Sequence, residues 1–123
     1  FCNSEKYLSN YLDCLMNLEY PKECLNLLWA DNGSTDHTRE VLSNFLKKHR
    51  CEYNSVTLLD VPRLRTDEKD LQIANVMNAL FEYAETDIIN IDSDILAPPD
   101  LILVYILDIL QSNMKCISIK MVL

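Results

Sequence analysis

The sequence has a single glycine, Gly33, among its 123 residues. Only this residue can adopt every backbone conformation without strain, so its position is informative. Apolar residues make up 49% of the chain and charged residues 24%, which indicates a soluble globular protein rather than a disordered or collagenous one. The length suits one domain with one core, and we assign residues 1–123 to a single domain.

Long hydrophobic runs and regularly spaced cysteines are also missing. The longest apolar run, LILVYIL at 101–107, is well short of the ~18 residues of a membrane-spanning helix, and no signal peptide is recognisable. The five cysteines include no C-x-x-C pair, so we expect reduced, buried thiols rather than a zinc site or disulfides. These absences favour a cytoplasmic protein without a transmembrane segment, and leave peripheral association with a membrane open.

Basic residues are scarce. Eleven of them stand against nineteen acidic residues, for a net charge of -8. The resulting field repels phosphate backbones and anionic lipid surfaces, which excludes nucleic acid as an expected partner. A nucleotide could still bind, given a metal ion or a few well-placed basic side chains.

Apolar residues at helical spacing predict helices along the whole chain. Pro21 ends the first helix, and the basic run KKHR at 47–50 ends the second. The segment DLILVYILDIL at 100–110, opened by Pro98 and Pro99, is so apolar that we expect a helix buried nearly all round. The predicted buried positions are Leu8, Tyr11, Leu12, Leu15 and Leu18 in the first helix, Val41, Leu42, Phe45 and Leu46 in the second, and Leu71, Ala74, Met77, Phe81 and Ala84 in the third.

Short apolar runs predict strands between these helices. Strict alternation of helix and strand favours an α/β fold, with a mostly parallel, Rossmann-like sheet and helices on both faces. The predicted strands are CLNLLWA at 24–30, SVTLLDV at 55–61, DIINI at 87–91 and KCISIKMV at 115–122.

Polar and charged side chains stand where three of these strands end. Parallel sheets bind ligands beyond the carboxyl ends of their strands, because loops and helix N-termini converge there. The exit residues are therefore the candidate site: Asp31 and Asn32 after the first strand, Asp60, Arg63 and Arg65 after the second, and Asp92, Ser93 and Asp94 after the third.

A carboxylate at a strand exit most often caps the next helix, and we expect Ser34 or Asp36 to cap the second one. The DSD segment is less suited to capping, because the helix that follows it begins only after Pro98. In an extended segment Asp92 and Asp94 would point to the same side and need a cation between them. Mg²⁺ or Mn²⁺ suits such oxygen ligands and could bridge an acidic protein to a diphosphate.

Three segments together resemble family 2 glycosyltransferases of the GT-A fold. DNGSTDHT at 31–38 is similar to that family's Asp-Asp-Gly-Ser-x-Asp loop, and INIDSDILAPPDLI at 89–102 to the segment that carries its Asp-x-Asp metal motif. NSEKYLSNYLDCLMNLEYP at 3–21 is similar to the family's first helix. The resemblance implies transfer of a sugar, such as a hexose, from a nucleoside-diphosphate donor to an acceptor hydroxyl, usually with inversion.

The resemblance also implies roles for residues. Asp31 and Asn32 would lie near the base and ribose, with Gly33 at positive φ letting the backbone approach the nucleotide. Asp92 would lie near the ribose and the metal, and Asp94 would bind the Mn²⁺ or Mg²⁺ that holds the diphosphate. The acceptor, whether glycan, lipid or protein, is not indicated.

Several departures from the family pattern accompany this resemblance. The family's strand before the first helix has no counterpart, so we expect the fold to be incomplete at one or both ends. Its Arg-Asn-x-Gly motif is replaced by MNAL at 77–80, where only Asn78 matches. Arg63 or Arg65 could supply the missing diphosphate contact, or could be surface arginines. The family's catalytic base lies downstream of its metal motif, and we assign none here.

Two other functions stay open at this point. The chain could be a nucleotide or nucleotide-sugar binding module without catalysis, since no base is identified. It could also be a receiver-like doubly wound domain that holds magnesium for phosphoryl chemistry. That reading requires a lysine at a late strand tip, and Lys115 and Lys120 do not lie cleanly at one.

Overall fold

The computed structural model describes residues 1–83, 88–111 and 120–122 of the chain, in which helices and strands alternate as predicted. The 3-10 turns Lys22–Cys24 and Arg50–Glu52 precede the first two strands. The helices are α1 (Glu5–Met16), α2 (Thr38–His49), α3 (Lys69–Tyr83) and α4 (Leu101–Gln111). The strands are β1 (Asn26–Asp31), β2 (Ser55–Asp60), β3 (Ile88–Asn90) and β4 (Lys120–Val122).

The strands form one parallel sheet in the order β2-β1-β4-β3, which confirms the α/β fold. Asp31 lies opposite Asp60 in the register of β1 and β2, so the two carboxylates end neighbouring strands side by side. Because every strand runs the same way, their carboxyl ends share one edge. The exits of β1, β2 and β3 are therefore gathered at that edge.

β1 is deeply buried. Leu27, Leu28, Trp29 and Ala30 are each no more than 1% exposed, as expected for a continuous apolar run covered on both faces. Successive side chains of a strand point to opposite faces, so Leu27 and Trp29 face one helical layer while Leu28 and Ala30 face the other. Helices on both faces are thereby confirmed.

The two layers differ in size. α1, α2 and α4 pack against the Leu27 and Trp29 face, where the predicted stripe of α1, from Leu8 to Leu18, is buried as expected. On the other face α3 is the one helix that packs within the described ranges, and its Leu80 belongs to the smaller cluster with Leu28 and Ala30. At about 25 cal/mol per Å² of apolar surface removed from water, the larger cluster supplies most of the hydrophobic stabilisation.

Phe1 extends the sheet beside the end of β1. Its backbone nitrogen donates to the Ala30 oxygen at 2.6 Å, and its oxygen accepts from the Asn32 nitrogen at 2.8 Å. This is the bonding of a parallel pair opposite Asp31. The ring of Phe1 packs edge-on against Trp29, with centroids 6.3 Å apart. Because Phe1 pairs beside Asp31 at the end of β1, residues 1 and 2 lie at the carboxyl edge of the sheet.

The predicted stripe of α3 is correct only at Met77, which packs against the smaller cluster. Leu71 is 47% exposed, Phe81 is 51% exposed and Ala74 is exposed, whereas Gln72 and Leu80 are buried and Val76 packs with Leu80. The helix carries apolar residues on more than one side, so helical spacing alone selects the wrong face. Ala84, also predicted to be buried, lies outside the described residues.

The expectation that the helix at 100–110 is buried nearly all round is also wrong. Ile102 is 1% exposed and packs into the larger cluster, but Val104 and Leu107 are 50% and 56% exposed. α4 meets the sheet layer on one side, and among the described residues nothing covers the other. No helix within the described part of the chain is both long and apolar enough to cross a bilayer.

The cysteines are free, as predicted, but they are not buried. Cys2, Cys24 and Cys51 are exposed and Cys14 is partly buried. Three of them lie in loops or short turns rather than in α1 or β1, where the core is made. Cys116 lies outside the described residues.

Candidate functional site

A cavity of about 360 Å³ opens at the carboxyl edge, between α3 and the exits of β1 and β3. Volumes of this size are typical of small-molecule sites. One wall is apolar and comes mainly from α3: Ile73, Val76, Met77 and Leu80, together with Phe1. The polar lining is Asn32, Arg63, Asp67, Lys69, Gln72, Asn90 and Asp92, with Cys2 beside it.

Gly33 has the positive φ that its place after β1 predicts, at 66°. A Cβ atom built on this glycine would meet the Cβ of Arg63 at 3.7 Å, an ordinary contact. The requirement for glycine is therefore one of backbone conformation, since an L side chain is strained in the left-handed region. The loop turns here and directs Asn32 into the cavity.

Asp31 is engaged inside the glycine loop. Its side chain is 2% exposed, and its Oδ1 accepts from both the backbone nitrogen and the hydroxyl of Ser34. Its Oδ2 lies 3.3 Å from Nη1 of Arg39. Asp31 does not line the cavity, whereas its neighbour Asn32 does.

Arg39 neutralises the two carboxylates that end β1 and β2. Its Nη1 lies 3.1 Å from Oδ1 of Asp60 and 3.3 Å from Oδ2 of Asp31. The hydrogen bond with Asp60, with a smaller contribution from Asp31, raises the pKa of the Arg39 guanidinium. A side chain in the first turn of α2 thus occupies the cation position that two adjacent carboxylates require.

The segment before α1 is bonded to the glycine loop along its length. Asn3, at a φ of 51°, accepts the backbone N–H of Thr35 at 2.7 Å through Oδ1, and its own N–H donates to the Ser34 hydroxyl at 3.0 Å. The N–H of Ser4 donates to the Thr38 hydroxyl at 2.8 Å. These bonds hold the loop against residues 3 and 4, which limits its motion.

α1 and α2 cap each other at this point. Asp36 accepts the N–H of Glu5 at 3.2 Å and the N–H of Thr38 at 3.0 Å, while Glu5 accepts the N–H of His37 at 3.2 Å. Desolvation opposes ionisation of Asp36, but the hydrogen bonds from Thr38 and Glu5 outweigh it and lower the pKa of Asp36. The N-cap of α2 is His37 rather than the predicted Ser34 or Asp36, and Asp36, one residue earlier, bonds to the first N–H of each helix.

The exit of β2 is tied to the exit of β1. The N–H of Val61 donates to the Asp31 oxygen at 2.9 Å, and Nδ2 of Asn32 donates to the Val61 oxygen at 3.0 Å. Of the two arginines predicted here, Arg63 lines the cavity and Arg65 does not. Nη1 of Arg63 lies 3.6 Å from Sγ of Cys2.

The DSD segment is a turn and not the extended stretch that we expected. β3 ends at Asn90, and the N–H of Ile95 donates to the Asp92 oxygen at 3.0 Å. Alternation along a strand therefore does not bring Asp92 and Asp94 to one side. Asp92 lines the cavity and accepts from Nδ2 of Asn90 at 3.5 Å, whereas Asp94 is exposed outside the lining.

The residues at the exit of β3 meet some of the requirements of a site for a hard divalent cation. Within the described ranges no three His, Cys, Asp or Glu side chains cluster as a ready-made metal cage. Mg²⁺ is commonly held by one or two carboxylates, with water and substrate phosphates as the other ligands. Asp92 and Asp94 are the two carboxylates at this exit, but only Asp92 lines the cavity, and among the described residues neither forms an ion pair with a basic side chain.

Asn3, Arg39 and Gln72 were missed at the sequence level. Asn3 precedes the first helix and Arg39 lies in the first turn of the second, positions typical of capping or surface residues. Gln72 is one of several polar residues in α3, so its polarity does not single it out. Its meaning depends on which face of α3 meets the sheet.

The comparisons with known proteins agree with this geometry. Residues 1–118 match the sequence profile of Glycosyl transferase family 2, and the chain therefore belongs to that family. A parallel α/β sheet with its site at the carboxyl edge is consistent with the GT-A fold that the family implies.

A curated relative lies within the same class. The chain is 42% identical over 50 residues to "Dolichyl N-acetyl-alpha-D-glucosaminyl phosphate 3-beta-D-2,3-diacetamido-2,3-dideoxy-beta-D-glucuronosyltransferase" of Methanococcus voltae. The matching stretch covers 41% of this chain and 16% of that relative. No solved structure matches the chain at a significant level.

Proposed function

We propose that the chain binds a nucleoside-diphosphate sugar at the carboxyl edge and forms the donor side of a metal-assisted glycosyltransferase. The observation that carries the proposal is the cavity in which Asn32, Arg63 and Asp92 meet from three strand exits. Membership of Glycosyl transferase family 2 supports sugar transfer as the reaction class. The Methanococcus relative is named as a glucuronosyltransferase, which supports a hexose-derived sugar as the transferred group.

The apolar wall of α3 suits the nucleoside. Ile73, Val76 and Met77 offer a surface on which the face of a base can be removed from water. Asn32 directs Nδ2 to Val61, and among the described residues nothing donates to its Oδ1. That oxygen is available to accept a hydrogen bond from a base N–H, which would set the orientation of the base.

The diphosphate needs positive charge, because the chain as a whole is acidic. Arg63 supplies one guanidinium at the cavity, and Asp92 and Asp94 would hold Mg²⁺ or Mn²⁺ beside it. When bound, such an ion offsets the negative charge that develops on the departing diphosphate. Arg63 would keep the same diphosphate oriented during departure.

The proposed reaction is a displacement at the anomeric carbon. The acceptor oxygen bonds to that carbon from the face opposite the diphosphate, the bond to the diphosphate breaks, and the configuration inverts. A base must take the proton of the acceptor hydroxyl, and we assign none within residues 1–123. The acceptor is not assigned either.

Calorimetric titration of UDP, GDP and their hexose derivatives, with and without Mn²⁺, tests the proposal. We expect Mn²⁺ to strengthen binding at least tenfold in the wild type, about the effect of one charge-assisted contact. Asp94→Ala should abolish that gain. Asp13→Asn, which removes an exposed carboxylate on α1, should retain it. Binding that ignores both Mn²⁺ and Asp94 would refute the site.

Donor turnover separates the enzyme from a binding module without catalysis. Release of UDP or GDP from the bound donor, measured with a coupled assay, would exclude a purely binding role. Tight donor binding with no release in the presence of candidate acceptors would favour the binding module instead.

A further inference from the structure

Gln72 is a buried polar residue of α3 that bonds to the loop after β2. Its side chain is 8% exposed, and its Oε1 accepts the N–H of Leu64 at 3.0 Å. Its Nε2 donates to the oxygens of Leu64 and Thr66, both at 2.9 Å. The carboxamide therefore pairs with Leu64 through both N–H and C=O, as a neighbouring strand would, and both of its amide hydrogens are used.

The same loop is held at its other end. Asn32 bonds to the oxygen of Val61 at 3.0 Å, and Nδ2 of Asn75 donates to the oxygen of Pro62 at 3.2 Å. Arg63 lies between these two sets of bonds. Its backbone position is determined from both sides, although it belongs to an irregular segment at the surface.

The charge of Arg63 contrasts with that of Arg39. Arg39 contacts two carboxylates, whereas Arg63 forms no ion pair within the part of the chain that the structure describes. Its Nη1 lies 3.6 Å from the Cys2 sulfur. An unpaired guanidinium at the mouth of a cavity is free to bind an anion.

We propose that Gln72 is a positioning residue, which holds the loop at 61–66 so that Arg63 presents its guanidinium to the diphosphate of the donor. This assignment rests on the proposed function for the identity of the anion. When a surface loop becomes ordered only on binding, the lost conformational entropy weakens the affinity for the ligand. Buried hydrogen bonds that order the loop in the free protein avoid this loss of affinity. Gln72 thus acts through Arg63 and does not need to contact the ligand.

A double-mutant cycle on UDP and pyrophosphate binding tests the coupling. Arg63→Ala and Gln72→Met are each expected to weaken UDP binding roughly tenfold, the effect of one lost charge-assisted contact. In the Arg63→Ala background, Gln72→Met should have almost no further effect. Uridine, which lacks the diphosphate, should lose less affinity than UDP does when Gln72 is replaced by Met. Arg50→Ala, at the far end of α2, controls for loss of one positive charge.

Gln72→Glu keeps the size and the acceptor for Leu64 but sets a carboxylate oxygen against the carbonyl oxygens of Leu64 and Thr66, so it should weaken UDP binding at least as much as Gln72→Met. Amide hydrogen exchange provides a readout without any ligand. The Leu64 N–H should lose protection in Gln72→Met while the amides of α1 keep theirs, which also shows that the variant is folded.

Two results would overturn the proposal. The first is a double variant whose loss of UDP affinity equals the product of the losses in the two single variants. The second is a Leu64 N–H that exchanges at the same rate in Gln72→Met as in the wild type. Failure of the proposed function gives a different pattern. Neither UDP nor pyrophosphate would then bind the wild type, while Leu64 exchange would still depend on Gln72.

Discussion

The exits of β1 and β3 both carry aspartates, but the structure treats them differently. At β1, Asp31 is almost fully buried, and Ser34 and Arg39 satisfy its carboxylate. At β3, Asp94 is exposed and has no basic partner among the described residues. A carboxylate whose bonds are all internal maintains the shape of a loop, whereas one without a partner is available to a ligand. Burial and bonding thus separate a structural aspartate from a candidate binding one.

Replacing Asp31 with Ala should produce the largest change in stability. The substitution leaves Ser34 without its acceptor and Arg39 with one carboxylate fewer, and we expect a loss of about 2–4 kcal/mol in the free energy of unfolding. Urea denaturation followed by circular dichroism measures it. Asp94→Ala is the matched variant at the other exit and should change stability by less than about 0.5 kcal/mol. Equal losses in the two variants would contradict the comparison.

Replacing Gly33 with Ala should have an intermediate effect. The left-handed conformation costs an L residue about 1–2 kcal/mol, and the Cβ itself meets no clash, so the loss should be of that size. Gly33→Asn should lose less, because asparagine tolerates this region of φ and ψ. Urea midpoints of the wild type and the two variants measure their order of stability. An asparagine variant no more stable than the alanine variant would argue against a purely conformational cause.

The contact between His37 and Glu5 should give the smallest effect, and one that depends on pH. Their atoms Nδ1 and Oε1 lie 3.1 Å apart, and the hydrogen bond with Glu5 raises the pKa of His37 above 6.5. Because the folded pKa is raised, the stabilisation is fully present below about pH 6.5 and is lost as the pH rises through the folded pKa.

Urea midpoints of wild type and His37→Gln, measured across this range, test the contact. The two proteins should differ at acidic pH and converge at alkaline pH. A difference that grows as the pH rises would show the opposite linkage and exclude the contact as its source.

Much of the fold could be predicted from the chain itself. The stripe from Leu8 to Leu18, the apolar run of β1 and the positive φ of Gly33 each follow from local rules that tertiary contacts did not change. The face of α3 could not be predicted. Apolar residues lie on several sides of that helix, and only packing against Leu28 and Ala30 selects Leu80 over Leu71 and Phe81.

The candidate site divides in the same way. Its location followed from the parallel order of the strands, and Asn32, Arg63 and Asp92 were predicted and do line the cavity. Arg65 and Asp94 do not line it, and their predicted roles stay predictions. The turn at Asp92 to Ile95 could not be foreseen, because a hydrogen bond between those two residues ended the extended conformation that alternation assumes.

The sequence by itself determined the α/β class, the order of elements, the edge of the sheet that carries the site and the one position that needs glycine. These depend on periodicity, composition and backbone sterics, which act over a few residues. The tertiary structure decided that Asp31 is structural and that Arg63, unlike Arg39, has no ion pair among the described residues. Asp31, Arg39 and Asp60 come from three different elements, and Asn32, Arg63 and Gln72 from two loops and a helix. Their bonding depends on how the sheet, loops and helices pack against one another, which local sequence rules do not give.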